Sequence, residues 1–136
     1  MSDTTDMLVP GTKIGEVTIV EEVTVQIVDD LLCTSFEGGM TGMWVARVTE
    51  PEGQRCGVAY THEVISRGGS LIFTLDDAEE VQEKTEFTLT LESVIQGLEK
   101  ACKHQGRTLS DLWENHDAVD ADVVVQFALF GEIVFG

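Results

Sequence analysis

Leu71-Ile72-Phe73-Thr74-Leu75, an acidic run, Glu86-Phe87-Thr88-Leu89-Thr90, and then Val94, Ile95, Leu98, Ala101 and Cys102 follow one another within residues 71–106. The first and third segments are short, rich in branched and aromatic residues, and bounded by turn formers. That composition predicts two strands. The last five residues recur at i, i+1, i+4, i+7 and i+8, one face of a helix. Thr90 stands where a hydroxyl can satisfy an amide of the first helical turn, and Gly106 lies just past the end. Two strands and a helix so close together place the chain in the α+β class.

Upstream, Gly42-Met43-Trp44-Val45-Ala46-Arg47-Val48 reads as a strand and Pro51-Glu52-Gly53 as a turn. Cys56 to Ile65 reads as another strand, turned by Arg67-Gly68-Gly69-Ser70 into Leu71–Leu75. Residues 1–13 form a loose lead-in, and Val17-Thr18-Ile19-Val20 a short strand. Thr24 caps a helix over 24–37 whose apolar face is Ile27, Val28, Leu31, Leu32 and Phe36. Gly38-Gly39 ends it with the positive φ that a helix C-terminus often uses. The acidic run 76–83 is a loop or a single helical turn. Ser110 opens a short helix through Trp113. Residues 121–130 read as a helix capped by Asp120, although Val123-Val124-Val125 also suits a strand. The expected architecture is one α+β domain over residues 1–136. It has an antiparallel sheet of three to five strands and three to four helices packed on one face.

The chain carries 25 acidic residues against 8 basic ones, a net charge of −17, yet 43% of its residues are hydrophobic. The apolar content separates it from a disordered acidic tail. The charge excludes direct, sequence-independent binding to nucleic acid, which needs Lys and Arg against phosphates, and excludes an anionic membrane surface for the same reason. No apolar run approaches the roughly 18 residues that span a bilayer. Met1-Ser2-Asp3-Thr4-Thr5-Asp6 lacks the charge and apolar stretch of a secretory signal, so the expected location is the cytoplasm. Cys33, Cys56 and Cys102 then read as reduced core residues. The acids are densest over Asp76, Asp77, Glu79, Glu80, Glu83 and Glu86, and over Asp111, Glu114, Asp117, Asp120 and Asp122.

Phe36-Glu37-Gly38-Gly39-Met40-Thr41-Gly42-Met43-Trp44 is a glycine-rich link between a helix and a strand. It matches neither phosphate-loop pattern, because the glycines follow a helix and no Gly-Lys-Ser/Thr comes after them. Phe36, Gly38, Gly39 and Trp44 with Arg47 are the residues that suit a small anionic ligand. The competing reading is a helix cap, core aromatics, and arginines paired with surface acids. His62, His104 and His116 are widely separated, and neither Cys-x-x-Cys nor His-x-x-x-His occurs, so no zinc site is expected. Residues 115–122 lack the glycine and glutamate of a calcium loop. No serine sits in a nucleophile elbow, no cysteine has an evident base, and nothing calls for a cofactor. A non-enzymatic role is expected.

The Glu37-Gly38-Gly39 turn before an aromatic, the acidic run 117–122 and the closing Phe130-Gly131-Glu132-Ile133-Val134-Phe135-Gly136 resemble a group of small uncharacterised bacteriophage proteins. The resemblance implies a phage accessory protein made in an infected bacterium and brings no activity with it. Three roles follow. The first is an inhibitor of a host factor, its acidic surface mimicking nucleic acid, that meets a host protein with a basic surface through Asp76, Asp77, Glu79, Glu80, Asp117, Asp120 and Asp122. The second is a sponge for a nucleotide signal. The third is an assembly role, as a homo-oligomer through the apolar C-terminal tail.

Overall fold

A helix whose apolar residues spread around most of its circumference organises the molecule. In the computed structural model, which describes residues 7–38, 41–51, 57–76 and 79–136, this helix is the last regular element, Ala118–Phe130. So wide an apolar spread is the mark of a helix surrounded by protein. The elements in chain order are α1 (Val25–Glu37), a 3₁₀ turn (Thr41–Met43), β1 (Val45–Thr49), α2 (Glu63–Ser66), β2 (Leu71–Leu75), β3 (Glu86–Leu89), α3 (Leu91–Gln105), α4 (Leu109–Asn115) and α5 (Ala118–Phe130). α5 packs against α3, α1 and β3. The fold is α+β, an antiparallel sheet ordered β1-β2-β3 with the helices against it.

The sheet follows the pleat. Leu71, Phe73 and Leu75 are buried while Ile72 and Thr74 between them are only partly so. Phe73 pairs with Val48 on one side and Phe87 on the other. Phe36 of α1 meets the Phe73 ring edge-on at 5.7 Å, and Phe130 of α5 meets Phe87 at 4.8 Å. These rings tie the helical layer to the sheet. A register shift between Val45 and Arg47 bends β1 at its start.

Helix ends agree with local chemistry. Thr24 Oγ1 accepts from Ile27 N, and Thr90 and Ser93 form a reciprocal capping box on α3. Gly106 and Gly131 take φ of 64° and 77°, the left-handed ending that glycine adopts without strain. At Gly97 the need is space: a Cβ would lie 2.7 Å from the Val124 carbonyl oxygen and 3.0 Å from the Ala128 Cβ. α3 and α5 therefore approach closely there because the side chain is absent.

Several expectations are corrected. Residues 57–62 form turns leading into α2, so the strand Cys56–Ile65 does not exist over its described part. Val64 and Ile65 are both fully buried, which adjacent positions achieve on a helix and not on a one-sided strand. Val17–Val20 is irregular and exposed, with no neighbouring strand among the described residues to complete a ladder. What anchors this lead-in is Glu21, whose carboxylate accepts from Leu109 N and Ser110 N at the start of α4. Gly38 closes α1 at φ −75°, so it does not supply a positive φ; a Cβ there would first meet the Thr34 carbonyl oxygen of α1 itself and then the Ala118 Cβ of α5 at 3.2 Å. Gly39 lies outside the described residues, as do Glu52, Gly53 and Cys56. The caps of α4 and α5 are Thr108 and Asp117 rather than Ser110 and Asp120, each one turn or less earlier than expected. No helix among the described residues is long and apolar enough to cross a membrane.

Candidate functional site

Asp122 lies on α5 facing the 3₁₀ turn and Trp44, 5% exposed. Its Oδ1 accepts from Thr41 Oγ1 at 2.8 Å and Trp44 Nε1 at 3.0 Å, and its Oδ2 accepts from Gln126 Nε2 at 2.7 Å. A buried carboxylate is tolerable only when hydrogen bonds replace its water, and three donors do so here. The Ser35 hydroxyl extends the network by a bond to Thr41. Gln126, fully buried one turn on, uses every site of its amide. Nε2 also donates to the Phe135 carbonyl, and Oε1 accepts from Val134 N and Phe135 N at 2.8 Å each. The C-terminal tail is thereby held as if by a short piece of backbone ladder. Trp44 is sealed beneath it, stacked on Phe135 at 5.0 Å and 12° and tilted against Phe130 at 5.4 Å.

This latch corrects two expectations. Trp44 is a core residue with its indole N–H already engaged, which leaves no face for a ligand. Asp122 is interior and cannot meet a partner protein. The apolar tail residue Phe135 finds its counterpart on Trp44 in the same chain.

The rest of the 111–122 acidic stretch is largely committed to the fold as well. Arg107 bonds Asp111 through Nε at 2.7 Å and Asp120 through Nη1 at 3.0 Å, and Asp117 caps α5. The Arg107 hydrogen bond, helped by Asn115, holds the Asp111 carboxyl below its ordinary pKa. Partial burial pushes Asp120 up, but the bonds from Arg107 and from the Asp117 amide outweigh it and lower its pKa too. Depressed folded pKa values stabilise the protein fully above the unfolded carboxylate value of about 4, and that contribution is lost as pH falls through the folded values. Arg107→Gln should therefore melt earlier than the parent at neutral pH, with the gap narrowing by about pH 2. An equal gap at both pH values, read by thermal unfolding, would assign Arg107 a packing role instead.

The 76–86 stretch differs. Asp76 and Glu79 are half-buried, with Asp76 N donating to the Trp44 carbonyl, and Glu80, Glu83 and Glu86 are exposed. Asp77 lies outside the described residues. Gln82 and Glu83 take φ of 53° and 63°, closing a tight turn between the bridged Val81 and Lys84. The Lys84 ammonium lies 6.0 Å from the Phe87 ring centroid.

Of the ligand-binding expectations, the structure brings Phe36 and Arg47 together. They line an open cavity of about 280 Å³ with Thr41, Gly42, Val45 and Thr61. This is at the small end for an organic ligand. Trp44 and Gly38 do not line it. Beside it is a group that spacing did not suggest: Cys33, Glu37 and His62, whose ligand-type atoms all lie within 4.8 Å of one another. The i, i+4 pair on α1 was legible as a pair. His62 was not, because the false strand over 56–65 hid its return toward α1.

No protein-family model, curated protein or solved structure matches this chain.

Proposed function

We propose that this chain is a non-enzymatic accessory protein that acts by binding, and that its target is a protein with a basic surface reached through the acidic connection between β2 and β3. The observation that carries this reading is the division of labour between the two acidic stretches. Residues 111–122 spend most of their carboxylates on Arg107, a helix cap and the buried latch, whereas Glu80, Glu83 and Glu86 remain on the surface. With only Lys84 among them, these acids keep a net negative charge, which steers an oppositely charged partner and suppresses wrong ones. In the phage setting implied by the resemblance, the partner is a host factor and its occupation is inhibitory, the acidic turn standing in for phosphates in a basic groove.

The test is capture of host proteins on immobilised full-length chain. A specifically retained protein should be released as salt rises toward about 0.5 M. E80Q/E83Q/E86Q should bind it about tenfold more weakly, at roughly 0.5 kcal/mol per exposed charge. E114Q should bind it normally. Retention at high salt, or by the triple variant at full strength, would remove this surface from consideration.

A further inference from the structure

We propose that Cys33, Glu37 and His62 form a binding site for a divalent transition-metal ion of the zinc type. The inference is independent of the acidic surface and runs against the expectation from sequence spacing.

Two of the donors sit one turn apart on the same face of α1, and the third immediately precedes α2, which packs on α1. Sulfur, imidazole nitrogen and carboxylate oxygen are the three donor types zinc uses in proteins. Donors on a tetrahedral zinc ion with bonds of roughly 2.0–2.3 Å stand about 3.5 Å apart. Atoms already within 4.8 Å of one another need only small side-chain rotations to reach that spacing. His62 occupies the cap position of α2 without using its side chain as a cap. Its ring is held instead edge-on to Phe36 at 6.4 Å and stacked on Tyr60 at 5.8 Å, which orients it beside α1.

Charge agrees with geometry. The Cys33 thiol donates to Glu37 Oε2 at 3.2 Å, the contact expected of the same pair while sulfur still holds its proton. A divalent ion takes the place of the proton: the S–H bond breaks, the proton leaves to solvent, and a thiolate–metal bond forms. One thiolate and one carboxylate neutralise the ion. Asp29, one turn before Cys33, has a buried Oδ1 with no hydrogen-bond partner among the described residues, and it adds to the acidic surroundings of the thiol. The three donors among the described residues leave a fourth position on a tetrahedral ion. The bound ion would staple α1 to the turn preceding α2.

Cobalt(II) added to the reduced full-length chain is the probe, because thiolate–cobalt charge transfer reports sulfur ligation and its visible bands report tetrahedral geometry. The expected result is one equivalent bound, with both signatures, displaced by zinc. Cys33→Ser should abolish the charge-transfer band. His62→Gln and Glu37→Gln should each weaken cobalt binding at least about tenfold, since loss of even an outer partner of a metal ligand costs that much. Cys102→Ser should change nothing. Circular dichroism of each variant confirms that it is folded. Binding without charge transfer, a band that survives in C33S or disappears in C102S, or undiminished affinity in folded H62Q would each overturn the proposal.

Discussion

Asp122→Asn is expected to destabilise the protein by about 2 kcal/mol and Asp122→Ala by about 4 kcal/mol in urea unfolding, where hydrogen bonds to buried charged groups are worth about 1.5–3 kcal/mol each. The asparagine variant is the more telling. An Asn that keeps its oxygen toward Trp44 Nε1 and Thr41 Oγ1 must turn its NH₂ toward Gln126 Nε2. Gln126 cannot flip in reply, because its Oε1 already accepts from Val134 N and Phe135 N. Two donors then face each other in a buried site. Reversing the Asn only transfers the conflict to the indole N–H. Alanine adds a cavity and leaves the indole donor buried without a partner. Trp44→Phe removes that donor, so a double-mutant cycle with Asp122→Ala should show coupling of about 1 kcal/mol. Stabilities within about 0.5 kcal/mol of the parent would mean that the carboxylate does not anchor Trp44, Thr41 and Gln126.

Gly97→Val is the second large effect, a loss of about 3 kcal/mol and roughly 10 °C in melting temperature. The added Cβ alone meets the Val124 carbonyl at 2.7 Å, and that atom is backbone, so the two helices must separate. Separation undoes the contact between α3 and α5 on which buried Val94, Leu98, Ala101, Val124 and Val125 depend. Gly97→Ala meets the same obstacle, but it gains about 1 kcal/mol of helix propensity and should cost less, about 1–2 kcal/mol net. An alanine variant more stable than the parent would show that the helices are not in close contact at this point.

The accuracy of the sequence reading tracks how local each determinant is. Thr24, Thr90 and Gly106 act on atoms within one turn of themselves, and all three helix ends lie where those residues predict. Leu71–Leu75 was equally legible, because alternation with a buried face is written in consecutive residues. Val58, Tyr60 and Thr61 have strand-like composition too, yet they lie in irregular and turn backbone, since β propensity stands for a fit to neighbouring strands and none among the described residues is offered there. Asp120 and Asp117 compete for one cap, and composition alone does not separate positions so close. At Asp122 a signal was present: an acid followed one turn later by Gln126 on an otherwise apolar helix implies buried polar groups needing partners. Nothing local says that the partners are Trp44, Thr41 and the chain's last residues.

What the order of residues determined by itself is the α+β class, most helix boundaries, the central strand and the strongly anionic character, because capping, periodicity and charge act over a few residues or simply add. Tertiary structure alone decided which acids are surface and which are interior, that Trp44 is sealed under the tail, and that Cys33, Glu37 and His62 meet. Those outcomes depend on the distances between segments far apart in the chain. Such distances are set by how whole helices and the sheet pack, including the close approach that the bare Gly97 permits.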